Sequence, residues 1–155
     1  MNVKPLIFVM LFLVVLPGHI LAQNKTKNAY VGSAKCKSCH ETEYENFIKH
    51  SKHAKAWQGV AKMEAKLSPE ELRECYSCHT TGYAQPSGFI SLQKTPYLAE
   101  VGCEACHGPG KAHIESDGDP SYIKTNMSEK TCLRCHNKER INTFNFYPLI
   151  YAGSH

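Results

Sequence analysis

A mainly α-helical chain with extensive irregular loops is the fold class this sequence predicts, and three observations carry it. Alternating strand patterns are nearly absent, while helix starts and helix-period stripes recur. Stretches rich in Gly, Pro, Asp and Ser punctuate the chain between those helices. The third observation is the most specific. All eight cysteines fall in four copies of Cys-x-x-Cys-His: Cys36-Lys-Ser-Cys39-His40, Cys75-Tyr-Ser-Cys78-His79, Cys103-Glu-Ala-Cys106-His107 and Cys132-Leu-Arg-Cys135-His136. That pattern is the attachment site of a c-type haem. The two thiols become thioethers to the porphyrin, and the adjoining His supplies the proximal nitrogen to iron. The chain is therefore read as wrapped around four covalently bound haems.

Other uses of cysteine fit less well. A single Cys-x-x-Cys serves zinc or thioredoxin-like redox sites, and eight cysteines in an exported chain allow four disulfides. Neither accounts for a His directly after all four pairs, a coincidence with odds on the order of 10⁻⁵.

In chain order, residues 1–22 read as a cleaved signal peptide. Lys4 is the positive flank, Leu6 to Leu16 is apolar, Pro17-Gly18 breaks the run, and Ile20-Leu21-Ala22 precedes the cleavage point at Gln23. The apolar run is too short to span a bilayer. The expected location is periplasmic or otherwise exported, with no stable membrane insertion after cleavage. Residues 23–155 make one tetrahaem domain. So little protein per cofactor leaves the porphyrins to form most of the core.

The formal charge of +4 falls to +3 once Lys4 is removed with the signal. Each ferric haem with two His ligands and ionised propionates adds roughly −1, which brings the assembly near neutrality. The Lys/Arg excess is thus read as propionate partners, and a nucleic-acid partner is not expected.

Glu41 to Trp57 carries a helical stripe of Tyr44, Phe47, Ile48 and Ser51, with His50, His53 and Trp57 on a second line. Ser68-Pro69-Glu70-Glu71 is a helix start with a capping box, and its helix runs into Cys75. Ser128 caps a short helix before Cys132. Gly82 to Gly88, Gly108-Pro109-Gly110 and Ser116 to Pro120 are loops. The motifs begin at 36, 75, 103 and 132, so haem-binding units recur without a fixed period.

Outside the motifs the mature chain has His50, His53, His113 and His155 as candidate sixth ligands, with Met63 and Met127 as thioether alternatives. His113 lies six residues beyond His107, a connection of at most about 20 Å, nearly all of which is needed to round a porphyrin edge. His53 follows His40 along a helix, which does not curl round a macrocycle. Both are expected to cross to a different haem. His155 trails His136 by nineteen residues and has the length to loop back over its own haem.

Several segments carry a resemblance: Tyr30-Val31-Gly32-Ser33, Ser51-Lys52-His53-Ala54-Lys55-Ala56, Cys78-His79-Thr80-Thr81-Gly82-Tyr83, and Val101-Gly102 running through the third motif to Gly108-Pro109-Gly110 with His113. Together they resemble the tetrahaem cytochrome c-554 family, and Phe144-Asn145-Phe146 with His155 resembles its tail more weakly. The resemblance implies distal ligands at His53, His113 and His155 and an open haem on His79. It implies the pairs His40 with His113, His107 with His53, and His136 with His155, leaving His50 on the surface or at a propionate. The function expected is electron transfer between redox protein partners through closely spaced haems, with no catalytic residue assigned. Two alternatives belong to other classes: a reductase of small nitrogen oxides at the His79 haem, and a subunit that stacks haem arrays into filaments.

Overall fold

The structure is a computed structural model that describes residues 29–141 and 144–152. The signal segment, residues 23–28 and His155 lie outside the described residues. Seven short α-helices and five 3-10 turns make up the regular structure, with no strand among the described residues. The helical class with long irregular connections is as expected.

The first helix, α1 (Glu41–His50), has Glu41 and Glu43 in its first turn and Lys49 and His50 in its last, each matching the helix dipole. It ends earlier than the periodicity predicts. Ser51 is extended at ψ 131°, and its hydroxyl accepts the His53 N–H at 3.3 Å, an alternative to the helical ladder. The predicted helix to Trp57 is thus two pieces. After the break come a 3-10 turn at His53–Lys55 and helix α2 (Ala56–Ala61), which buries Trp57 and Val60.

Helix α3 (Pro69–His79) starts as the sequence indicates. The Ser68 hydroxyl accepts the Glu71 N–H, and the Glu71 carboxylate accepts the Ser68 N–H. The helix passes through Cys75 and carries the whole second motif to His79. Its C-terminal neighbour Thr81 is tied to a distant segment: its N–H donates to Leu98 O, and its carbonyl accepts from Phe89 N–H. Between Thr81 and Phe89 the chain folds back so closely that a Cβ on Gly88 would overlap the Gly82 carbonyl.

The later elements are shorter: α4 (Cys103–His107), α5 (Lys111–Glu115), α6 (Glu129–Cys132) and α7 (Phe146–Ala152). Ser128 stands at the N-cap of α6, as predicted, but its side chain makes no capping hydrogen bond. Among the described residues only six apolar side chains are buried: Phe47, Trp57, Val60, Phe89, Leu98 and Ala112. That is a small protein core for a chain of this length.

Candidate haem-attachment and iron-ligand centres

All four motifs adopt one local shape. The second and third sit within helices α3 and α4. In the first and fourth, His40 N–H donates to Cys36 O at 3.0 Å and His136 N–H to Cys132 O at 2.9 Å, the same one-turn closure. One helical turn brings residues i, i+3 and i+4 to a common face. Both sulfurs and the imidazole of each motif therefore face the same way, as attachment to one macrocycle requires. None of the eight cysteines is in a disulfide. No cluster of three or more His, Cys, Asp or Glu side chains is arranged to hold a metal ion among the described residues.

Two of the motif imidazoles are oriented through Nδ1. His79 donates to Ala56 O at 2.8 Å, and His107 donates to Lys124 O at 2.7 Å. His113, outside the motifs, donates to Asp119 O at 3.0 Å. A carbonyl accepts only, so the proton sits on Nδ1 and the lone pair on Nε2, the tautomer a metal ligand needs.

Two imidazoles binding one metal from opposite faces, at about 2 Å per bond, put their ring centroids about 6 Å apart. His40 and His113 lie at 6.3 Å with planes only 20° apart. This is the pair that the resemblance implies. His53 does not reach His107. Its Nε2 points at the Nε2 of His136 across 3.4 Å, with perpendicular rings 5.7 Å apart. A shared metal needs about 4 Å between those nitrogens, so this pair would open by a fraction of an ångström. The resemblance pairs His53 with His107 and His136 with His155; here His53 is set against His136 instead, and His155 lies outside the described residues. After the break at Ser51, Ala56 lies over His79, and motif 4 is beside motif 2. Arg140 Nη1 approaches Cys78 Sγ at 3.4 Å, and Cys135 Sγ approaches Ser77 O at 3.8 Å. Burial holds the His53 and His136 imidazoles below their ordinary pKa, and for His53 the neighbouring His136 adds to this. Both therefore favour the neutral, ligating form. His50 is exposed at the end of α1.

Thiols of different motifs also meet. The proximity of Cys36 and Cys103 lowers the Cys103 thiol to about 6 and raises that of Cys36. Burial and the nearby Cys78 push Cys135 up to about 12. Motif 1 thus abuts motif 3, and motif 2 abuts motif 4.

A cavity of roughly 500 Å³ lies beside His107, and Tyr30, Lys124, Lys130 and Arg134 are among its lining. A flat apolar group carrying carboxylates fits cationic walls of this kind. The paired imidazoles, common-face motifs and fixed tautomers together fit covalently attached haem.

Two important carboxylates escaped the sequence reading. Glu104, in the variable part of motif 3, is only 2% exposed. It accepts from Val31 N–H at 3.0 Å, Gly32 N–H at 2.7 Å and Gly110 N–H at 2.6 Å, clamping the segment before motif 1 onto motif 3. A charged residue between glycines at 102 and 108 is the one local hint. Glu100 accepts from Trp57 N–H at 2.6 Å, and nothing in its local pattern signals that.

Comparison with known proteins bears on the same segments. Residues 35–108 match a family model described as cytochrome c554 and c-prime. The chain is similar to cytochrome c-554 of Nitrosomonas europaea, 37% identical over 93 residues, covering 53% of this chain and 39% of the relative. It is also similar to the multiheme cytochrome MtrA of Shewanella baltica, 26% identical over 95 residues, covering 53% of this chain and 28% of that protein. The chain spans well under half the length of either relative. No solved structure matches. No helix among the described residues is long and apolar enough to cross a membrane.

Proposed function

We propose that this chain, whose residues 35–108 match the cytochrome c554 and c-prime family model, is an exported, periplasmic electron carrier holding four covalent haems. The observation that carries this reading is the near-parallel His40–His113 pair at 6.3 Å, the separation of two axial ligands on one iron. Bound haem supplies a one-electron iron couple, and imidazole on both sides keeps ligation the same in the two oxidation states. The protein's part is to anchor, orient and exclude water. Cys36, Cys39, Cys75, Cys78, Cys103, Cys106, Cys132 and Cys135 hold the macrocycles, and His40, His79, His107 and His136 bind iron from the proximal side. His113 serves the iron on His40, and His53 serves the iron on His136. His155 is the distal ligand remaining for His107, within the length of the tail. The abutting motifs 1 with 3 and 2 with 4 support close cofactor spacing and rapid transfer between redox protein partners.

A second reading is favoured by one feature. Among the described residues no second imidazole lies against His79, which suits a ligand-binding iron and a reductase of small nitrogen oxides. One experiment separates the two. The fully reduced holoprotein is mixed with nitric oxide under excess chemical reductant. Binding at about one iron in four without turnover supports the carrier. Sustained consumption of the ligand would replace it with the reductase.

A further inference from the structure

The peptide unit joining Ala56 to Trp57 is held at both ends. Its carbonyl accepts the His79 Nδ1–H at 2.8 Å, and its N–H donates to a Glu100 carboxylate oxygen at 2.6 Å. Carboxylate, peptide and imidazole thus form one continuous hydrogen-bonded chain. We propose that Glu100 is a positioning residue for the iron on His79, setting the electron richness of that imidazole through the Ala56–Trp57 peptide. The inference rests on His79 being a proximal haem ligand.

The physical reason is polarisation in series. Hydrogen bonds sharing a peptide strengthen one another, and a carboxylate at the N–H end makes the carbonyl a better acceptor. A better acceptor draws the Nδ1 proton outward and raises imidazole donation to the metal. Stronger donation favours the ferric state and lowers the potential. The main chain that carries Glu100 is tied to the His79 segment. Thr81, two residues after His79 and 2% exposed, donates its hydroxyl to the Glu100 main-chain carbonyl at 2.6 Å. The same hydroxyl accepts the Gly102 N–H at 2.8 Å. Burial pushes the Glu100 carboxyl up from its ordinary value, while the Trp57 N–H and nearby His79 pull it down.

The arrangement differs from that of another oriented histidine. His113 donates to Asp119 O, whose peptide continues into Pro120 and has no N–H to receive a carboxylate. The relay at His79 therefore has no counterpart at His113.

The test uses the holoprotein with Glu100→Gln, which keeps an acceptor for Trp57 N–H and removes the charge, and Glu100→Asp, which keeps the charge. Haem is first counted by mass under denaturing conditions. Potentiometric titration then resolves the haem components, and the one lost in Cys75→Ser/Cys78→Ser identifies the second haem. In Glu100→Gln that component alone is expected to gain about tenfold in its ferrous-to-ferric ratio at fixed potential, a shift of about 59 mV upward. Its iron–histidine stretch in the ferrous Raman spectrum should fall. Glu100→Asp should restore part of both. An unmoved component with four haems bound overturns the proposal, as does an equal shift of all components. A mass that lacks haem on Cys75 and Cys78 in the unmodified protein removes the haem reading itself and the proposal with it. The haem count alone distinguishes that case.

Discussion

Glu104 shows how much one side chain holds together here. Its carboxylate takes three backbone N–H groups from Val31, Gly32 and Gly110, all within 3.0 Å for at least one oxygen. Each buried donor left without a partner costs about 1–3 kcal/mol. Glu104→Ala should therefore lose at least about 3 kcal/mol, measured by denaturant unfolding of the holoprotein, whereas exposed Glu115→Ala changes little. The histidines separate by the same kind of reasoning. His53→Ala and His113→Ala should each convert one low-spin haem to high-spin in the electron paramagnetic resonance spectrum, while His50→Ala leaves the spectrum unchanged. The sign of the pH effect follows from the lowered pKa of His53 and His136. Unfolded imidazoles bind protons at the ordinary 6.5, above the folded values. Folding stability from these neutral rings is thus complete above 6.5 and lost as pH falls through the folded values. Unfolding midpoints in His53→Ala should depend less on mildly acid pH than those of the unmodified chain.

At the scale of elements, α3 delivers the second motif and its N-terminus fixes where the helix begins. Ser68→Ala removes the capping hydroxyl and should cost about 1 kcal/mol, read from the unfolding midpoint, with the haem count unchanged. The 81–89 fold-back is less forgiving. A methyl group at Gly88 overlaps the Gly82 carbonyl, and Gly82 itself sits at φ 71° against the Tyr30 ring. Gly88→Ala should therefore lower the yield of folded holoprotein far more than Ser68→Ala. The capping box and the helix through motif 2 are legible in sequence because residues within one turn carry the signal. The stop at Ser51 is not. The periodic line runs on to Trp57, whereas the extended Ser51 takes the His53 N–H on its hydroxyl and the helix ends there.

The whole molecule is organised by neighbouring motifs that are distant in sequence. Cys36 meets Cys103, and Cys78 lies beside Cys135. Removing one attachment site should be felt most by its neighbour. Cys75→Ser/Cys78→Ser should yield a holoprotein with one haem fewer by mass, and the resonance of the His136 haem should shift more than that of the His40 haem. Equal disturbance of both would contradict the pairing of motifs 2 and 4.

By itself the sequence determined the one-turn shape of each Cys-x-x-Cys-His motif, the helical class and the start of α3, because each is written within a few consecutive residues. Cys-x-x-Cys-His specifies a one-turn helix with both sulfurs and the imidazole on one face, whatever surrounds it. The sequence also limited the candidate distal ligands to a few histidines. Only the tertiary structure decided that His53 faces His136, that Glu104 clamps motif 1 to motif 3, and that Glu100 stands behind His79. Those partners are separated by 83, 72 or more, and 21 residues or more along the chain. Contacts at such separations depend on how intervening loops close and on which alternative buries its polar groups with partners. No local spacing encodes that choice.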